Sequence, residues 1–311
     1  MHRSPRFVSL VCALLLALAS CGRGAPDEYV ELISIERLAF VSSGRIELGQ
    51  GHTLGSDVDL LVGLHEITRG EWRSWADERD VAWPPEPAFG PWLEGTDNLP
   101  ATGMDLADAR AFAASSGLRI PSVMEWAWCA TGQRGLPYPY AVSPSKSAGN
   151  TLEVGLDRPA SVGTFPNGRT PITRIADLFG NVEEWASPIP EENWQPSHSK
   201  GSAAIGLSAW AMGGSWRDPW QRLYGLSSQS TLLGRELEPT HRAEQLGLRV
   251  VAEARYFLRS QAESFSDPEL RERVTAVGER WGAEALQLLS SLAVGRDVPL
   301  GILWLLEGAR R

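Results

Sequence analysis

The 311 residues carry 29 basic and 38 acidic side chains, a formal charge of −9, with 43% hydrophobic and 22% charged content. That balance is globular and excludes disorder as the main theme, and the basic residues are too scattered to leave an electrostatic footprint for nucleic acid. Thirteen Trp, 31 Gly and 21 Pro against five His describe a loop-rich chain pinned by aromatic anchors, with little capacity for histidine-based metal chemistry.

At the N-terminus, Arg3 and Arg6 precede an apolar run from Phe7 to Ala19. This is the length of a signal-peptide core and short of the roughly 20 residues of a membrane-spanning helix. The run ends in Leu18-Ala19-Ser20-Cys21-Gly22, which resembles a bacterial lipobox. Residues 1–20 therefore read as a lipoprotein signal peptide, Cys21 as the lipidated N-terminus and 21–28 as a tether, with an ordinary signal peptide as the alternative. Acylation of this kind exceeds the two-signal threshold for stable anchoring, so the expected partner is a membrane and the expected location the bacterial cell envelope. Gly22 in place of an aspartate favours the outer membrane. Loss of Arg3 and Arg6 takes the mature charge to about −11.

Of the cysteines, Cys12 leaves with the signal and Cys21 carries lipid, so Cys129 is the remaining thiol and no intrachain disulfide forms. It lies in Trp126-Ala127-Trp128-Cys129-Ala130, an apolar setting that predicts a buried, inert thiol.

Residues 29–252 read as one irregular α+β domain of short strands and long loops. Two helices stand out. One spans 66–77, with Ile67, Trp72 and Trp75 on one face; the other spans 105–116, with Leu106, Ala109, Phe112 and Ala113 at helical spacing. Residues 253–311 read as a helical C-terminal extension: Ala252 to Phe265, Asp267-Pro268-Glu269 opening a helix to Trp281, then Ala283 to Val294. Leu300 to Leu306 is too short to cross a bilayer.

Within the domain, a series of blocks resembles the formylglycine-generating enzyme or sulfatase-modifying factor family, whose fold is a variant of the C-type lectin fold. In order they are Val41-Ser42-Ser43-Gly44-Arg45-Ile46-Glu47-Leu48-Gly49, His65-Glu66-Ile67-Thr68-Arg69-Gly70-Glu71-Trp72 and Leu99-Pro100-Ala101-Thr102-Gly103-Met104-Asp105. There follow Asp108-Ala109-Arg110-Ala111-Phe112 with Gly117 to Trp126, Ser161 to Gly168, Asp177-Leu178-Phe179-Gly180-Asn181-Val182-Glu183-Glu184-Trp185, Gly213-Gly214-Ser215-Trp216 and Leu246-Gly247-Leu248-Arg249-Val250. Trp126, Trp185 and Trp216 read as core, and Arg249 as a buried cation paired with Glu125 or Glu184, with a solvated strand face as the alternative.

The resemblance implies a calcium site at Asp177, the carbonyls of Gly180 and Val182, and Glu184, an oxygen set suited to a hard cation; a metal-free turn held by the same carboxylates is the alternative. A second family site would begin at Asn150, but its spacing to Asp157 departs from the pattern. The resemblance also implies copper(I) held by two cysteines after the glycine-serine block. Here Asp218 and Leu223 occupy those positions, and neither supplies the thiolate that copper(I) prefers. The sulfoxide synthases of thiohistidine biosynthesis, a related branch, use iron held by three histidines. Here His52, His65, His198 and His241 show neither H-x-x-x-H nor H-x-E spacing.

Around Ser215, the residues Trp216, Arg217, Asp218, Trp220, Arg222 and Tyr224 crowd aromatic rings beside arginines, a combination suited to a protein, peptide or glycan ligand. The alternative is that the tryptophans are core and the charges solvated. Two functional expectations follow: a lipid-anchored binding module without formylglycine-generating activity, or an oxidoreductase of the same superfamily with a divergent metal site.

Overall fold

A computed structural model describes residues 37–49, 52–82, 84, 95–143, 145–188, 209–220, 234–254 and 256–257. The lipobox with Cys21, the tether, His198, Arg222, Leu223, Tyr224 and the helical extension beyond 257 lie outside the described residues.

In chain order the elements are β1 (Leu38–Val41), β2 (Gly44–Gly49), β3 (His52–Ser56), β4 (Leu60–Gly63), α1 (Arg69–Arg79), α2 (Leu106–Ser115) and α3 (Val123–Ala130), followed by two 3-10 turns, Leu152–Val154 and Pro166–Gly168. Then come β5 (Glu183–Ala186), β6 (Ala209–Met212), β7 (Gly234–Leu237), β8 (Leu246–Gly247) and β9 (Val251–Glu253). The strands form three sheets, ordered β1-β4-β9, β2-β3 and β7-β6-β5-β8. All pairings are antiparallel except β5 with β8. β1 (LAFV) and β4 (LLVG) are buried at every position, as expected for a continuous apolar run covered on both faces.

Each helix starts where its sequence supplies a cap. The first begins at Arg69, three residues later than the apolar spacing predicts, because Glu66 and Ile67 belong to an extended segment. There the Ile67 amide donates to the Leu248 carbonyl (2.9 Å) and the Ala101 amide to the Ile67 carbonyl (2.8 Å). Thr68 then closes a capping box with Glu71, and a left-handed Asp80 ends the helix. α2 falls where expected, with Asp105 as its cap. α3 opens on a second capping box, Ser122 with Glu125.

Trp126, Trp185 and Trp216 are core, as expected, and so are Trp72, Trp75 and Trp128. Trp72 and Trp75 meet Phe112 at centroid distances of 5.3 and 5.4 Å, and the Trp185 indole donates to the Met104 carbonyl (3.1 Å). Trp126 and Trp128 lie in a second cluster beneath β3 and β4. Truncating any one of these buried rings to Ala costs about 3–5 kcal/mol. Trp126 also explains a glycine: a Cβ on Gly213, at φ 88°, would stand 2.9 Å from its ring, and only glycine meets both demands.

Candidate functional site

The turn entering β5 sets the geometry. Asp177, Gly180 and Asn181 all adopt positive φ (58°, 78° and 63°), a conformation Asp and Asn tolerate better than most residues. The turn delivers Glu183 and Glu184 to opposite faces of the strand. Glu183 accepts from Arg235 Nε and Nη2 (2.8 and 2.7 Å). Glu184 turns inward to Arg249, and both side chains are fully buried.

That inner pair is fully hydrogen-bonded. Arg249 Nε and Nη2 donate to Glu184 (2.9 and 2.6 Å), while Nη1 and Nη2 also reach the carbonyls of Gly63 (2.8 Å) and Ala176 (2.9 Å). The Trp126 indole donates to Glu184 Oε2 (2.7 Å). Of the two partners expected for Arg249, Glu184 is therefore the one used. Glu125 instead accepts from Arg119 (2.7 and 2.6 Å) while capping α3.

Beside this pair sit two further buried acids. Glu66 Oε1 accepts from Asn181 Nδ2 (3.0 Å), and Asp177 Oδ2 accepts from the Gly163 amide (2.5 Å). Glu66 Oε2 is buried with no donor, next to the Asp177 carboxylate. An orphan oxygen facing a second acid is satisfied when it carries the proton. Burial first, then the charge of Asp177, holds the Glu66 carboxyl well above the usual range. Burial also raises Asp177, against the opposing Gly163 amide, the Arg249 charge and a hydrogen bond from Glu66. The two acids titrate as a pair, both held upward by burial.

The implied calcium ligand set does not fit this arrangement. Both Glu184 oxygens are committed to Arg249 and Trp126, and a dication there would face the guanidinium. Asp177 is turned to Gly163 and Glu66. Among the described residues no group of three or more His, Cys, Asp or Glu side chains is placed to hold a metal ion. The carboxylates of this turn serve the fold. Asn150 is likewise structural, its amide donating to the Arg158 carbonyl (2.9 Å) and to Asn181 (3.2 Å).

On the loop after β6, the Ser215 amide and hydroxyl both donate to Asp218 Oδ2 (2.9 and 2.8 Å), so the residue at one expected cysteine position closes a tight turn. Arg217 lies with its guanidinium carbon 5.5 Å from the Trp216 ring centroid and pairs with Glu244. Trp216 is 3% exposed and belongs to the core, which corrects its expected place on a binding surface. Trp220 is half-buried, its amide donating to Glu153 (3.0 Å), and like Tyr140 it packs against the cluster of Tyr138 and Phe179. The structure thus brings Ser215, Arg217, Asp218 and Trp220 together. It adds Glu153 and the tyrosines, which sequence reasoning missed; the alternation in Tyr138-Pro139-Tyr140 was the available signal.

Among the described residues no cysteine lies on this loop. Cys129, the free cysteine among the described residues, is buried, and burial pushes its thiol up to about 12. Its expected inertness follows.

An α+β chain of short sheets, capped helices and a buried Arg–Glu pair under glycine-rich loops defines the class. A model of the sulfatase-modifying factor enzyme 1-like domain matches residues 36–254, and the chain belongs to that family. Over 156 residues it is 26% identical to hercynine oxygenase from Mycolicibacterium smegmatis, covering 40% of this chain and 36% of that protein. The hercynine oxygenase of Mycolicibacterium thermoresistibile is 27% identical over 157 residues, with 40% and 35% covered. The match spans little more than a third of these curated relatives. Among solved structures, PvdO from Pseudomonas aeruginosa superposes with a TM-score of 0.53 at 17% identity, covering 74% of this chain and 100% of that one. CarF gives 0.51 at 16% identity, covering 70% and 97%. These likenesses confirm the fold.

Proposed function

We propose that the chain is an exported, lipid-anchored protein of the bacterial cell envelope, acylated at Cys21. In this reading its family domain does not generate formylglycine but binds a protein, peptide or glycan at the loop carrying Arg217, Asp218 and Trp220. One observation carries it: the Asp218 carboxylate, at a position where the resemblance implies a copper-binding thiol, holds Ser215 in a turn. Arg217, exposed although paired with Glu244, and the half-buried Trp220 lie beside that turn, residue types suited to amides and hydroxyls. Calcium has no part in this reading, since Glu184 is paired with Arg249. The test is aerobic incubation with a sulfatase-motif peptide and copper. No aldehyde is expected, and aldehyde formation overturns the proposal. Radiolabelled palmitate incorporated into wild type but not into Cys21→Ser tests the anchor.

The likeness to two hercynine oxygenases favours a second reading, an oxidoreductase with a divergent metal site. Stoichiometric copper or iron after aerobic purification supports it over the binding module.

A further inference from the structure

A second polar cluster lies away from the loop after β6. Arg37 precedes β1, His65 follows β4, and Arg169 follows the Pro166–Gly168 turn, so three distant segments supply it. Arg37 Nη2 stands 3.0 Å from His65 Nδ1. A guanidinium only donates, so Nδ1 accepts and the imidazole proton sits on Nε2. Arg169 approaches the other side of the ring. A Cβ built on Gly163 would lie 3.3 Å from Arg169 Nη2 and 3.8 Å from His65 Cδ2, the ring carbon bonded to Nε2. Guanidinium and imidazole N–H edge therefore flank the same glycine.

The positive charge here is incompletely answered. Arg37 has Glu71 at 3.2 Å, but among the described residues Arg169 makes no ion pair, and its one side-chain hydrogen bond is a long 3.4 Å reach to the Gly163 carbonyl. The Nε atoms of both arginines are buried without a partner, an arrangement that folded proteins rarely leave unmet. Asp177, the acid nearest Gly163, is buried and turned to the Gly163 amide. The imidazole registers the excess: burial, then the charges of Arg37, Arg249 and Arg169, drive its pKa down to about 3. It stays neutral near pH 7 and keeps Nε2–H as a donor. All three side chains are partly exposed, so a small ligand reaches them.

We infer that Arg37, His65 and Arg169 form a binding site for a tetrahedral oxyanion of the phosphate or sulfate class, with Arg169 as the principal contact. Two planar guanidinium groups and an imidazole N–H arriving from different segments match an oxyanion with several acceptor oxygens. A free anion and a lipid headgroup share this chemistry.

The test uses ¹⁵N-labelled chain from Gly22 to Arg311 at pH 7, titrated with inorganic phosphate at ionic strength held constant with sodium chloride. Saturable shifts at the Gly163 amide and the His65 ring nitrogens are expected. Arg169→Gln should weaken binding by at least roughly tenfold, the loss of one charged hydrogen bond, and Arg169→Lys by less. Unchanged resonances of β1 and α3 verify that the variants fold. A parallel arm measures cosedimentation with phosphatidylglycerol vesicles. Arg169-dependent binding to vesicles identifies a headgroup as source, and Arg169-dependent binding to phosphate alone a free anion. No saturable shift beyond the chloride control, or equal affinity in Arg169→Gln, overturns the site.

Discussion

Arg249→Met probes the centre of the fold. Methionine keeps much of the apolar stem but removes the guanidinium, which stands between Glu184 and the carbonyls of Gly63 and Ala176. Both carbonyls lose a donor, at about 1–3 kcal/mol each where nothing replaces it, and Glu184 keeps the Trp126 indole alone. Losing one partner of a buried ion pair costs about 3–5 kcal/mol, a large share of the 5–15 kcal/mol that ordinarily separates folded from unfolded chains. With a urea dependence of about 3 kcal/mol per molar, the unfolding midpoint should fall by roughly 1–1.7 M. The assay is urea unfolding followed by tryptophan fluorescence, with the double variant Glu184→Gln/Arg249→Met beside the single one. The double variant should recover part of the loss, because it removes the uncompensated charge and keeps an acceptor for Trp126. A single-variant midpoint within about 0.3 M of wild type, less than 1 kcal/mol by the same conversion, would refute the account of Arg249 as an obligatory counter-charge.

Three further outcomes are expected. Because the Glu66 carboxyl sits above its ordinary 4.5 in the folded state, the native chain binds more protons than the unfolded one. Its contribution is complete below 4.5 and lost as pH rises through the folded value; Glu66→Gln, which keeps an acceptor for Asn181 and a neutral amide donor beside Asp177, should flatten the decline in urea midpoint as pH rises above 4.5. Cys129, with a thiol near 12, should resist a thiol reagent at pH 8 in the native chain from Gly22 and react once urea unfolds it; native reactivity like that of free cysteine contradicts the burial. Ser122→Ala removes the hydroxyl that accepts from the Glu125 amide (3.2 Å) and should cost about 1–2 kcal/mol by urea unfolding, whereas an unchanged midpoint would mean that Glu125 holds the start of α3 unaided.

Local patterns were the legible part of the sequence. Asp105 ahead of Leu106, Ala109 and Phe112 located α2 because capping and helical spacing are short-range properties. The order of the family blocks gave the fold, and Arg249 was recognised as a buried cation because a lone charge between Leu248 and Val250 needs a partner. What stayed hidden depends on long-range contacts. Glu66 read as part of a helix, yet it is held 115 positions away by Asn181, and no periodicity encodes that. Trp216 was open to either face until the fold placed it inside. The turn at Asp177 looked like an oxygen cage because its composition suits one. Positive φ at Asp177 and Asn181 directs those side chains to Gly163, Ala160 and Glu66 instead, and φ cannot be read from residue type alone.

The same contacts explain how the family fold accommodates an unfamiliar residue at position 218. Trp126 lies against Gly213 and donates to Glu184; Glu184 holds Arg249; Arg249 reaches Gly63. Helix α3, strands β4 and β5 and the loop after β6 are thus tied at one buried point, where any single loss leaves an unmet polar group or a clash costing several kcal/mol. Asp218 is bound differently. Its carboxylate is held by Ser215, three residues away, within one turn, and local bonds of that kind contribute about 1 kcal/mol each. Substitution at 218 therefore leaves the buried network intact, whereas substitution at 184 or 249 does not. The buried network holds the fold, while the loop at 218 is held by local bonds outside it, so likeness of fold does not by itself fix the chemistry of the loop.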